Sequence, residues 1–236
     1  MAKRFVLALL ALVISCPFCA AQTTVVDVMD KSTVKCAVRM SGTIEFTESK
    51  AAGEDRTSFV SHVSATNLSN VPVIAMVTYT RIGNSLGPLV DENHQLDAFF
   101  AHELEIAPGQ TSVHEHADNG VMTEPVRKGA STIAPAASSQ VIFVQFAGGS
   151  TCGDPNDGRV TSLMDARADL LLALKRIDKA ANFGDDKFLK ALDDKATDRT
   201  GNAEGILGHI RDMQKEKGST AAIEYIRGML GVAASR

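Results

Sequence analysis

From residue 34 to about 149, apolar and polar side chains alternate in short runs. In "TSFVSHVSATN" (57–67) Phe59, Val63 and Ala65 share one parity, Asn67-Leu68-Ser69-Asn70 interrupts, and Val73, Ala75, Val77 and Tyr79 resume the alternation. A period of two puts one set of side chains on one face, so the stretch predicts two half-buried strands joined by a turn. "CAVRMSGTIEF" (36–46), "QLDAFFAHELEIAPGQTSV" (95–113) and "SSQVIFVQFAG" (138–148) share the enrichment in Val, Ile, Thr and Phe, and Pro108-Gly109 punctuates the third. No helix-period pattern lies between these runs, which favours an antiparallel sandwich over βαβ units.

Beyond residue 159 the period changes. Leu163, Leu170, Leu174, Ile177 and Ala181 recur at helical spacing, predicting an amphipathic helix over 160–181 that Gly184 stops. Asp185 is placed to cap a short helix burying Phe188, Leu189 and Leu192. A third run, Ala203 to Lys217, carries Ile206, Leu207, Ile210 and Met213, and Ser219 opens a last one with Ala222, Ile223, Ile226, Met229 and Leu230. Such stripes face a core in most proteins; the sharper alternative makes the first helix a partner-binding or coiled-coil surface. The fold class expected is α+β, an antiparallel immunoglobulin-like β-sandwich over 34–153, then a linker at 154–159 and an α-helical segment over 160–236.

The amino end reads differently. Lys3 and Arg4 precede ten apolar residues, Phe5 to Ile14, and small residues lead to Cys19-Ala20-Ala21-Gln22. That is the layout of a signal peptide, too short to span a bilayer, so residues 1–21 are expected to be removed and 22–33 to form a flexible lead. A rival reading takes Val13-Ile14-Ser15-Cys16 as a lipobox, with Cys16 acylated and the protein lipid-anchored to the envelope. Either way the location is extracytoplasmic, secreted or periplasmic in the first case, and no transmembrane helix is expected in the mature chain.

Charge adds one exclusion and one division. Without residues 1–21 the chain carries 22 basic against 28 acidic residues, a poor match to the positive field that nucleic acid requires. Residues 22–158 hold 8 basic and 16 acidic residues, whereas 159–236 hold 14 and 12, so the two zones differ in surface character. The same processing leaves Cys36 and Cys152 as the only cysteines. A pair in an oxidising compartment is expected to form a disulfide, here clipping the first strand to the end of the last. In that reading the glycines of "VQFAGGSTCGDP" (144–155) let the chain turn so that Cys152 reaches its partner.

"VSATNLSNVPV", "LEIAPGQT" and "VQFAGGSTCGD" resemble strand–turn signatures of immunoglobulin-like modules in bacterial exported proteins of unassigned function, over roughly residues 34–155. The resemblance implies a fold and no activity, since such modules host many functions. This chain has Gly148 and Cys152 where those modules often carry Asp and Trp.

"HEHAD" (114–118) is the one cluster able to carry chemistry. On a strand His114 and His116 would share a face, as paired metal ligands do, with Asp118, His102 and His94 as candidates to complete a site. The plainer reading is a solvated loop with polar histidines. "PGQTSVHEH" is similar to the opening cupin motif, but the interval from Gly109 to His114 is one residue short, Glu124 stands too far along, and no second motif follows. His62, on the face opposite Val63, is expected to be exposed. There is no nucleophile elbow or phosphate-binding loop, and the sequon at Asn67-Leu68-Ser69 is assigned no role. These observations favour a non-enzymatic binding or structural protein, without cofactor, that contacts an unidentified extracytoplasmic protein or surface component. The alternative is a metal-binding protein or metal-dependent enzyme using His114 and His116.

Overall fold

The structure is a computed structural model that describes residues 22–33, 35–51, 54–84, 87–124, 136–194 and 204–236; the side chains of Gln22 and of residues 48–57, 84–89 and 116–124 lie outside that description. The leader at 1–21 and the lipobox at Cys16 lie outside it too. The strands are β1 (Gln22–Asp30), β2 (Val38–Ala51), β3 (Glu54–Asn67), β4 (Val73–Asn84), β5 (Gly87–Asp97), β6 (Thr111–Glu124), β7 (Ala136–Phe146) and β8 (Thr151–Gly153). The helices are α1 (Gly158–Ala181), α2 (Asp185–Asp193) and α3 (Glu204–Ala234).

The class is α+β, with a mostly antiparallel sheet in the order β5-β4-β7-β1-β2-β3-β6 and β8 paired to β7. A sandwich would keep two sheets apart. Here β1 joins them, antiparallel to β2 and parallel to β7, and the sheet curls into a half-barrel. Residues 22–33, expected as a flexible lead, therefore contain a central strand. Val28 and half-buried Val26 turn into the core while Val25 and Met29 stay exposed, an alternation too short to stand out beside Asp27 and Asp30.

The concave face packs Val28, Val38, Met40, Ile44, Phe46, Phe59, Val63, Met76, Ile82 and Val141 into one core. Asn67, in the sequon, is fully buried and fastens the turn after β3: its Nδ2 donates to the carbonyls of Val71 (2.9 Å) and Ile106 (2.8 Å), and its Oδ1 accepts from Ser69.

"VQFAGGSTCGDP" is a tight hairpin. Gly148 and Gly149 (φ 98° and 88°) turn β7 into β8, and Val144 lies opposite Cys152. Cys152 meets Cys36 at disulfide distance, with Cα atoms 5.6 Å apart and 116 residues between them in sequence. Both pack against the concave core.

The expected linker is a hydrogen-bonded turn in which Asp157 caps α1 by accepting from the Arg159 backbone amide at 2.9 Å. Gly184, not Asp185, occupies the cap position of α2. The two last predicted helices are the halves of α3, broken at Gly218 (φ 85°, ψ 170°). The helices share a core of Leu170, Leu174, Ile177, Phe188, Leu192, Leu207, Ile210 and Ile226, into which the β5–β6 connection inserts Phe100. They also pack on the sheet, as Val160 and Leu163 of α1 cover Ala75, Val77 and Phe143 on its convex side. Arg167, buried on α1, fastens that contact: it donates to both carboxylate oxygens of Asp97 (2.8 and 3.2 Å) and to Gln145 Oε1 (2.8 Å), and lies 4.2 Å from the Phe99 ring centroid.

Candidate functional site

β5 and β6 are the two ends of the sheet, and the curl brings their concave faces together. "HEHAD" is strand and not solvated loop. In β6, Ser112, His114 and His116 stand opposite Ala65, Val63 and Ser61 of β3. Cross-strand partners share a face, and Val63 and Ala65 are buried, so His114 points inward and is itself half-buried. His62, on the other parity, is 39% exposed beside Glu115, as expected.

The alternation in "VDENHQLD" divides β5 in the same way. Asp91, Asn93 and Gln95 face outward, toward Arg81 or Arg159. Glu92 and His94 face inward, opposite Thr80 and Thr78 of β4. The rings of His94 and His114 stack across the seam, centroids 5.2 Å apart and planes 18° apart. The Glu92 carboxylate lies 3.3 Å from His94 Nε2, at ion-pair distance but without hydrogen-bond alignment. His114 Nε2 and Thr78 Oγ1 are buried with no hydrogen-bond partner among the described residues. Nearby, Thr80 and Ser139 bond to each other at 3.0 Å. Buried polar atoms are nearly always paired, so unpaired nitrogen at a seam needs an explanation. Burial, and then the neighbouring His94, push the His114 pKa below the usual histidine value, which favours the neutral ring.

A cleft of about 440 Å³ opens at the mouth of this seam, lined among others by Gln95, Leu96, Ile106, Gln110, Ser112 and His114. Its outer wall is held firmly. Ile106 pairs with Val73, Asn67 grips the Ile106 carbonyl, and Arg236 bonds to the Ala98 carbonyl, to His102 Nδ1 (3.0 Å) and to Glu105.

Of the residues named as partners for His114, the seam brings in His94. His102 is exposed and engaged with Glu105 and Arg236. The side chains of His116 and Asp118 lie outside the description. Glu92 was not singled out from sequence, because its role depends on an edge-to-edge approach that no local pattern records. Among the described residues no three of His, Cys, Asp and Glu are already converged as metal ligands. No helix among them is long and apolar enough to cross a membrane. No protein-family model, curated protein or solved structure matches the chain.

Proposed function

We propose that the protein is a non-enzymatic binding protein of the extracytoplasmic space that takes a small polar ligand into the cleft between β5 and β6. The observation that carries this reading is the cleft itself: a concavity of about 440 Å³, backed by a histidine whose buried nitrogen has no hydrogen-bond partner among the described residues. Gln110 and Ser112 supply donors and acceptors, and Leu96 and Ile106 supply apolar contact, the mixture that small-molecule sites use. The extracytoplasmic setting is supported by the Cys36–Cys152 pairing together with the leader-like amino end. Kinship with immunoglobulin-like modules belongs to the same reading and is supported by the motif around Asn67.

Thermal-shift screening of amino acids, amines, short peptides and sugars against the full chain tests the proposal. At least one class should raise the melting temperature of the wild type and leave Ser112→Trp, which fills the cleft, unmoved. A ligand that stabilises both equally would place binding elsewhere. The competing reading, a metal centre on His114 and His116, is favoured by the stacking of His94 on His114.

A further inference from the structure

We infer that the inner wall of the seam binds one divalent transition-metal ion of the zinc class through His94 Nε2, His114 Nε2 and the Glu92 carboxylate. The inference rests on the seam being the binding end of the molecule, as proposed above, and adds the chemistry of its wall. Two imidazoles and a carboxylate form the donor set that zinc takes in sites with an open fourth position. In a tetrahedral site with bonds of about 2.0–2.1 Å, ligating atoms stand about 3.3 Å apart. His94 Nε2 and the Glu92 oxygen already have that separation, and without hydrogen-bond alignment between them.

The third donor is close but not yet converged on the other two. His114 stacks on His94 at 5.2 Å and its Nε2 is buried without a hydrogen-bond partner among the described residues, so metal binding asks that nitrogen to converge on the Glu92–His94 pair. This accounts for the lack of a preformed three-ligand cluster among the described residues. The paired cysteines do not compete as ligands, and His62, His102 and His209 are engaged elsewhere, with Glu115, with Glu105 and Arg236, and with Tyr225. His114 also lines the cleft, so the open position would face whatever occupies it. A metal here joins the two end strands of the sheet.

The test is zinc and cobalt titration of the chelator-stripped full chain, by calorimetry and visible absorption. Wild type should bind one zinc ion per chain, and cobalt should give the ligand-field band of a tetrahedral site. His94→Ala and His114→Ala should each weaken zinc by at least about 100-fold and Glu92→Gln by at least about 10-fold, since losing a ligand costs no less than the 10–100-fold that loss of an outer-shell partner does. His62→Ala and His102→Ala should bind as wild type does. If the alanine variants fail to fold, as circular dichroism will report, Glu92→Gln gives the same readout with little change of shape. Zinc binding that survives in the His94→Ala/His114→Ala double variant, or no saturable binding by wild type, overturns the inference. A wild type that takes no zinc yet is stabilised by cleft ligands, with Ser112→Trp insensitive, overturns the metal site and leaves the binding reading standing. Zinc bound with the expected variant pattern, but no ligand sensitive to Ser112→Trp, does the reverse.

Discussion

His114 is half-buried opposite Val63 and beside His94, and the cost of charging its ring there sets a direction for stability against pH. Its folded pKa lies below the usual histidine value, so near and below about pH 6.5 the unfolded chain binds a proton that the native protein resists. Stability is therefore fullest above that pH and falls as acid is added, with a slope of at most about 1.4 kcal/mol per pH unit for one group. Urea midpoints at pH 7.5 and 5.5, measured with chelator present, should differ for the wild type, and the difference should shrink in His114→Gln. An equal difference in both proteins would assign the acid sensitivity to other groups. Gly153 gives a second prediction at this scale. Its φ of 108° is strained for any L side chain, and an added Cβ would lie 2.2 Å from the Ile142 carbonyl oxygen. Gly153→Ala should cost about 1–3 kcal/mol, read from chemical unfolding.

Among the elements, α1 couples the two parts of the molecule. Its apolar stripe covers the convex side of β4 and β7, and the Arg167–Asp97 pair ties it to the end of β5. Arg167→Met leaves Asp97 without its guanidinium partner and should cost about 3 kcal/mol, near the low end for a broken buried pair because Asp97 is 24% exposed. The helices have a core of their own, so the variant should also separate helical from sheet unfolding in a urea titration followed by far-ultraviolet dichroism and tyrosine fluorescence.

What was legible in the sequence follows from how local its cause was. The helical stripes, the break before Ser219 and the strand bearing Val73, Ala75 and Val77 each depend on one periodicity, and each is present. β1 was missed because its alternation is short and its importance comes from neighbours far along the chain. β8 was missed because three residues carry no period. At the seam, sequence supplied the pair His114 and His116 and a choice among His94, His102 and Asp118 to complete a site. Glu92 and His94 share a face of β5 by simple alternation, but only the curl of the sheet, set by strands distant in sequence, brings that face against His114.

For the whole molecule, the most consequential link is between Cys36 and Cys152. It closes a loop with a sequence separation of 116 residues, worth about 4–5 kcal/mol in the chain-entropy model. Cys152→Ser should lower the melting temperature markedly, and non-reducing peptide mapping should recover the joined peptides. Two freely alkylatable thiols in the native protein would sink the assignment. The same link holds β8 against the start of β2, so its loss should be felt in the sheet before the helices.

The place of β1 has a consequence in time. As a chain is made or delivered from its amino end, β1 and β2 meet early, yet the other side of β1 waits for β7, whose Ala137 is the partner of Val28. Until then the nascent sheet carries an open edge that could template pairing with another chain. Such distant pairings make folding slow, since the intervening chain must be gathered before the contact rewards it. Strand order alone thus leaves one edge of β1 open until the last long strand has been made.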